Sequence, residues 1–106
     1  MFAAEYRPVE LSRRRSPRAP VSLYGEWDNG ALERALCKVV DLSAHGCRLQ
    51  TYSELERGSD ILLTLPGMPA MTTRVVWADG FTAGCLFQRP LKRKQFDWIA
   101  DRFGTA

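Results

Sequence analysis

The sequence predicts a mainly β fold, a six-stranded antiparallel β-barrel followed by a C-terminal α-helix. Short segments rich in apolar and β-branched residues recur along the chain, and turn-forming pairs such as Asn29-Gly30 and Asp79-Gly80 separate them. Only the last segment changes to a helical period. A length of 106 residues fits one domain. Because an open sheet this small would leave two unpaired edge strands, closure into a barrel is the expected arrangement.

The strands are predicted from apolar segments that end at turn signals, and the reversals between them make neighbouring strands antiparallel. In chain order the predicted strands are 19–27, 32–42, 47–51, 60–66, 70–78 and 81–88. The stretch 66–69, "PGMP", is predicted to reverse the chain. Residues 52–59, "YSELERGS", are predicted to form a single helical turn that Ser53 caps and Gly58 ends.

The last segment is predicted to be an amphipathic helix at about residues 92–103. The apolar residues at the spacing i, i+3, i+4 and i+7 are Phe96, Ile99, Ala100 and Phe103. Charged residues lie largely off this stripe, so the helix is expected to cover one mouth or flank of the barrel. Trp98 also lies off the stripe, and it is expected either to wrap onto the barrel or to mark a contact surface.

The charge of the chain is concentrated at its start. Residues 1–18 contain five arginines and two glutamates, which accounts for the whole net charge of +3, and residues 19–106 are balanced. A bound anion is therefore expected near the N-terminal segment. The predicted units are a flexible arm at 1–12 and a domain at 13–106, made of an arginine motif at 13–18, the barrel at about 19–90 and the helix at about 92–103.

The sequence indicates a cytoplasmic protein with no membrane insertion. No apolar run approaches the ~20 residues needed to cross a bilayer. Glu5, Arg7 and Glu10 interrupt the start of the chain, where a signal peptide would have its apolar core. The cysteines are Cys37, Cys47 and Cys85. Their odd number, wide spacing and apolar surroundings fit reduced core thiols better than a disulfide framework or a zinc site.

The stretch Asp41-Leu42-Ser43-Ala44-His45-Gly46 contains the one histidine of the chain and invites a catalytic interpretation. In an extended strand, side chains at i and i+2 share a face, but their Cα atoms lie about 6.6 Å apart. A nucleophile and its base must approach to about 2.6–3.2 Å, and no strand-turn-helix elbow surrounds Ser43. No catalytic residue is therefore predicted.

Two further interpretations of this stretch need no catalysis. A metal site built from Cys37, Asp41, His45 and Cys47 would match no common zinc spacing, so no metal is predicted. Taken alone, the stretch is best interpreted as a strand end in which the Asp and Ser side chains cap a turn and Gly46 supplies a positive φ.

An upstream motif changes this interpretation. The sequence contains R-x-x-x-R directly before the first strand and D-x-S-x-x-G after the second. The matching residues are Arg14 and Arg18, then Asp41, Ser43 and Gly46. The two motifs in this order resemble the signature of PilZ domains, which bind the bacterial second messenger cyclic di-GMP. The resemblance covers about residues 13–90 and includes Val75-Val76-Trp77 and Gly84-x-x-Phe87 in the later strands.

The resemblance implies a binding module without catalytic activity or cofactor, whose ligand is cyclic di-GMP. The expected ligand-binding residues are Arg13, Arg14, Arg18, Asp41, Ser43 and Gly46. The planar fork of arginine grips a phosphate or the O6/N7 edge of guanine, and the Asp41 carboxylate can accept from the N1–H and N2–H₂ donors of guanine. Ser43 would add a hydroxyl contact on the same strand face, and Gly46 would let the ligand approach the backbone.

The resemblance also implies how the module signals. In the family, an arginine directly before R-x-x-x-R often accompanies capture of two stacked ligand molecules, and Arg13 occupies that position. Binding is expected to order the N-terminal arm over the ligand, and a separate, unidentified partner protein is expected to read the changed surface. Outputs in the family include motility, exopolysaccharide synthesis and biofilm formation.

Three other functions remain as alternatives. A PilZ-like adaptor in pilus or flagellar assembly would keep the fold and bind only protein. A barrel for single-stranded nucleic acid would carry aromatic and basic residues alternating on a strand face, whereas most basic residues here lie outside the predicted strands, so no nucleic acid polymer is expected. An esterase-like enzyme is the least expected. Arg15 is assigned to solvent and His45 to the surface near the ligand, and Trp77 is expected to pack in or on the barrel, with stacking on guanine as its alternative.

Overall fold

The computed structural model describes residues 18–29 and 34–105. In chain order the elements are β1 (Ala19–Asp28), β2 (Arg34–Leu42), β3 (Gly46–Thr51), β4 (Asp60–Thr64), β5 (Met71–Asp79), β6 (Thr82–Phe87) and α1 (Arg93–Phe103). The predicted flexible arm lies outside the described residues, together with Arg13, Arg14 and Arg15. Gly30 of the predicted Asn29-Gly30 turn also lies outside them, between the paired strand ends Asp28 and Arg34.

The six described strands form a closed barrel in the order β1-β2-β3-β6-β5-β4, and every pairing is antiparallel. Strands β1 and β4 close the barrel through the pairs Glu26↔Thr64 and Asp28↔Leu62. Closure leaves no long unpaired edge among these strands, which is the reason a sheet of this size was expected to close. The structure confirms the predicted fold, including a helix within the predicted range 92–103.

The barrel interior is filled by the apolar residues that alternate along the strands. In β1 the buried positions are Val21, Leu23, Gly25 and Trp27, and the residues between them are exposed. Burying one Leu or Val side chain stabilises a fold by about 1.5–3 kcal/mol, so this alternation fixes which face of each strand points inward. The three cysteines are buried in this core and free, as predicted: Cys37, Cys47 and Cys85.

Helix α1 packs its predicted apolar stripe against the barrel. Ile99 is fully buried, and Phe96 and Phe103 pack against the core. Beyond the helix, the Thr105 N–H donates to the Pro20 carbonyl at 2.9 Å, which ties the end of α1 to the start of β1. Of the two expectations for Trp98, packing onto the barrel is confirmed, and a contact surface stays a prediction. Its ring lies beside Gly67 of the β4–β5 loop, and about a third of the side chain is exposed.

The predicted helical turn at residues 52–59 is wrong. The segment is irregular, and it runs beside β5, where the Gly58 N–H donates to the Val75 carbonyl at 2.7 Å and the Val75 N–H donates to the Ser59 carbonyl at 2.9 Å. Leu55 is buried within the same segment. Backbone pairing with β5 and burial of one leucine therefore outweigh the local signals for a turn of helix. The predicted stop at Gly58 does mark a positive φ, of 89°.

Two predicted reversals are confirmed. Gly80 and Phe81 connect β5 to β6, and Gly80 has a φ of 62° in a position where a side chain would be strained. Gly67, with a φ of 76°, turns the chain between β4 and β5. No helix within residues 18–29 and 34–105 is long and apolar enough to cross a membrane.

Candidate functional site

The structure brings Arg18 and Asp41, one residue from each sequence motif, together at one rim of the barrel. Arg18, the last residue of R-x-x-x-R, donates from Nε to Oδ2 of Asp41 at 3.0 Å, and its Nη2 lies 2.9 Å from the same oxygen. The Arg18 side chain is 54% exposed and that of Asp41 is 18% exposed. Pro20 is the cross-strand partner of Asp41, so β1 delivers Arg18 directly beside the carboxylate. The contact joins residues 23 positions apart.

Ser43 closes the turn that links β2 to β3. Its hydroxyl oxygen accepts from the backbone N–H of His45 at 3.3 Å and of Gly46 at 3.2 Å, and its own N–H donates to the Gly46 carbonyl at 2.9 Å. The Ser43 residue is only 5% exposed. In this structure the serine of the motif therefore fixes the turn, while Asp41 presents its carboxylate at the rim.

Gly46 is required by the neighbouring strand. The positive φ expected at this position is wrong, because the described glycines with a positive φ are Gly58, Gly67 and Gly80. Instead, Gly46 begins β3 opposite Leu86, and a Cβ at Gly46 would collide with the carbonyl oxygen of Cys85. The close approach of the β6 backbone thus accounts for the glycine. The predicted approach of a ligand to the Gly46 backbone stays a prediction.

The turn is also tied to the segment that leads into α1. The Leu91 N–H donates to the Ala44 carbonyl at 2.7 Å, and the Phe87 N–H donates to the His45 carbonyl at 2.8 Å. Leu91 is itself buried. Backbone hydrogen bonds therefore connect the turn to Leu91, just before α1, and β1 to Thr105, just after it.

Asp41 belongs to a lateral row of outward-facing positions that crosses the barrel wall. The row runs through paired positions on five strands, in the order Pro20, Asp41, Arg48, Gly84 and Trp77. The cross-strand partners in such a row stand about 4.7–4.9 Å apart from strand to strand. One face of the barrel thus carries a carboxylate, a guanidinium and an indole side by side.

Two bulges put Asp41 and Trp77 of this row on the outer face. On β2 the register shifts between Val39 and Asp41, and on β5 it shifts between Val75 and Trp77. Each bulge inserts one extra residue, after which the inside–outside alternation resumes in a new phase. Val39 and Val75 are fully buried, whereas Trp77 is 42% exposed. The bulges are what allow Asp41 and Trp77 to face outward two residues after a core position.

A sequence profile of the PilZ domain matches residues 12–101 of the chain. The chain belongs to the PilZ domain family. Among solved structures, it is similar to the crystal structure of the PilZ domain of CeSA from a cellulose synthesizing bacterium. That similarity has a TM-score of 0.58 at 18% sequence identity, over 82% of this chain and 93% of that chain, and it concerns the fold. A comparison with curated proteins gave no match.

Family membership makes this PilZ domain one of a class of regulatory binding modules whose known ligand is cyclic di-GMP. The arginines that precede Arg18 in the family motif lie outside the described residues. Of the ligand-binding residues predicted from the sequence, the described part of the chain contains Arg18, Asp41, Ser43 and Gly46. The first two form the ion pair at the rim, and the last two form the turn beside it.

Sequence reasoning missed Arg48 and left Trp77 undecided. Trp77 packs on the outside of the PilZ barrel, where its indole ring covers Gly84, and any side chain at Gly84 would collide with that ring. Arg48 is exposed and points outward between Asp41 and Gly84. The signal for Arg48 was its position two residues after the motif glycine. That position became informative only when the strand register was known.

Two of the three core cysteines, Cys37 and Cys47, have thiols whose pKa is raised, whereas the hydrogen bond with Cys47 lowers the pKa of the Cys85 thiol. Burial raises the pKa of the Cys37 thiol to about 11. A hydrogen bond with Cys85, followed by burial, raises the pKa of the Cys47 thiol well above its ordinary value. Protonated thiols react slowly with electrophiles. Among the described residues, no group of three or more His, Cys, Asp or Glu side chains could hold a metal ion.

Proposed function

We propose that this PilZ domain is a receptor for cyclic di-GMP, which it binds on the outer face of the barrel around Asp41. The observation that carries the proposal is the contact between Arg18 and Asp41. These residues come from the two separate family motifs and meet at an accessible rim. A carboxylate and arginine forks together match a ligand that presents guanine donors and phosphate oxygens.

Each side chain has a chemical role in this proposal. Asp41 accepts from the N1–H and N2–H₂ donors of a guanine, a pattern that adenine does not offer. Arg14 and Arg18 grip phosphate or the guanine O6/N7 edge. Ser43 holds the turn that orients the carboxylate, because its hydroxyl accepts from two backbone N–H groups of that turn. Trp77 forms the far wall of the face, where a second base can stack on the indole.

In the ligand-free state Arg18 satisfies the Asp41 carboxylate, so the ligand must replace this contact or share it. The exchange is inexpensive, because an ion pair at an exposed rim is worth at most about 1 kcal/mol. Once guanine occupies Asp41, Arg18 is released toward a phosphate of the same ligand. Arg13 supplies a further fork for a second, stacked ligand molecule.

The signal in this proposal is a change of surface that a separate partner protein reads. Capture of the ligand orders the arginine arm over the rim. The Ala44 carbonyl in the turn that holds Ser43 accepts from the Leu91 N–H, and the Pro20 carbonyl of β1 accepts from the Thr105 N–H, so the turn and β1 connect to the two ends of α1. We assign α1 and the ordered arm as the surfaces that change.

A protein-only adaptor is the second candidate, since the fold alone would serve it. The experiment that separates the two is calorimetric titration with cyclic di-GMP, with cyclic di-AMP and GMP as controls. A receptor gives saturable heat with cyclic di-GMP alone, and Arg14→Ala and Asp41→Ala each weaken it by at least about tenfold, the effect of losing a charge-assisted hydrogen bond. The stoichiometry decides between one ligand and a stacked pair. An adaptor gives no heat with any of the three nucleotides.

A further inference from the structure

Arg48 stands on the wall of the barrel itself, in the middle of the row that runs from Pro20 to Trp77. Strand β3 alternates regularly, so Cys47 and Leu49 point into the core and Arg48 points out. The register pairs Arg48 with Asp41 on one side and with Gly84 on the other. Because the Trp77 indole covers Gly84, the register places Arg48 between Asp41 and a position that carries an aromatic ring.

The guanidinium of Arg48 has no acidic partner among the described residues. Three other described arginines do have one, in the pairs Arg18–Asp41, Arg74–Asp60 and Arg93–Asp97. Arg48 sits directly opposite Asp41, yet the Asp41 carboxylate is held by Arg18 from the other side. The exposed Arg48 side chain therefore has five N–H donors, in a planar fork, that make no hydrogen bond to Asp41.

We propose that Arg48 binds a phosphate of the cyclic dinucleotide, as a ligand-binding residue beyond the two family motifs; this inference rests on the proposed function. A guanine bound at Asp41 carries its sugar and phosphate over the neighbouring strand, because the row continues in that direction toward Trp77. Arg48 is the described cation on that path. Its fork fits two phosphate oxygens in a bidentate, charge-assisted contact.

Arg48 stands on a strand whose flanking residues Cys47 and Leu49 are buried, so its backbone is fixed before the ligand binds. A rigid support of this kind lowers the ordering cost of binding. The barrel wall thus holds a preorganised half-site, made of Asp41 for the base and Arg48 for the phosphate.

The test compares arginine variants by calorimetric titration with cyclic di-GMP. Arg48→Ala is expected to weaken binding by about 10- to 100-fold, the range for loss of a hydrogen bond to a charged group. Arg48→Lys keeps the charge and loses the fork, so it is expected to retain an intermediate affinity. The matched control is Arg57→Ala, which removes an exposed arginine from the loop beyond the far end of β3.

The outcomes separate this inference from the proposed function. Saturable binding by the wild type and Arg57→Ala, with Arg48→Ala weakened, supports both. Unchanged affinity in Arg48→Ala, with wild-type binding intact, overturns the role of Arg48 and leaves the receptor proposal standing. Absence of binding by the wild type overturns both. Because Arg48 is exposed, equal melting temperatures for all four proteins are expected, and a variant that melts early is replaced by Arg48→Gln.

Discussion

Gly46→Ala tests why the D-x-S-x-x-G motif ends in glycine. The added methyl group would meet the carbonyl oxygen of Cys85, with the Cys85 carbonyl carbon at 3.2 Å and the Leu86 Cα at 3.3 Å. All three atoms belong to the β6 backbone, so no side-chain rotation relieves the overlap, and β3 and β6 must separate. Overpacking of this kind costs about 1–3 kcal/mol. For a domain of this size, that lowers the melting temperature by about 5–20 °C.

The assay is thermal unfolding followed by circular dichroism, with Gly80→Asn as the control. Gly80 has open space around its Cα, and asparagine tolerates a left-handed backbone, so this control is expected to change stability by less than about 1 kcal/mol. If Gly46→Ala melts with the wild type and loses only cyclic di-GMP binding, the glycine serves the ligand and the packing argument is refuted.

Three further predictions concern the rim, the helix and the core. Asp41→Asn breaks an exposed ion pair with Arg18, so it is expected to change the free energy of unfolding by at most about 1 kcal/mol. It is also expected to weaken cyclic di-GMP binding at least about tenfold. A large drop in stability would show that the ion pair is structural. Ile99→Ala is expected to lower the free energy of unfolding by about 2–5 kcal/mol in urea titrations, and a loss below 1 kcal/mol would mean that α1 is not docked as described. The pKa of Cys37 is raised from 9.0 to about 11 in the folded protein, so the unfolded chain loses that proton first and stability should fall as pH rises from about 9 to 11. Cys37→Ala should show a shallower decline in urea titrations over that range, and an identical decline would exclude the thiol as its cause.

The fold could be predicted because its main signals are local. Alternation of apolar residues marks the strands, and the four-residue stripe around Ile99 marks the helix. The turn residues Gly67 and Gly80 mark the reversals. Closure into a barrel follows from the number of strands and the short chain, since an open sheet would expose its edges.

The parts that escaped prediction depend on which strands become neighbours. The segment 52–59 forms backbone hydrogen bonds with β5, and the local sequence of the segment does not predict this pairing. The contact of Gly46 with Cys85 joins residues far apart in the chain. The local turn pattern therefore predicts a positive φ at Gly46 and does not show this contact. The bulges beside Asp41 and Trp77 likewise exist only relative to a partner strand. Arg48 could therefore not be predicted as a site residue, because its pairing with Asp41 is known only from the strand register.

A two-dimensional amide NMR titration of the wild-type protein with cyclic di-GMP tests directly whether the ligand binds on the outer face of the barrel around Asp41. If the ligand binds at the proposed site, saturable chemical-shift changes are expected at Asp41, the turn at 43–46, Arg48, Gly84 and the indole N–H of Trp77. Smaller changes are expected at Leu91 and Thr105. A spectrum that stays unchanged at saturating ligand contradicts the receptor proposal. Shifts confined to the groove of about 580 Å³ beside Tyr24, Leu36 and Met68 would contradict the location of the site.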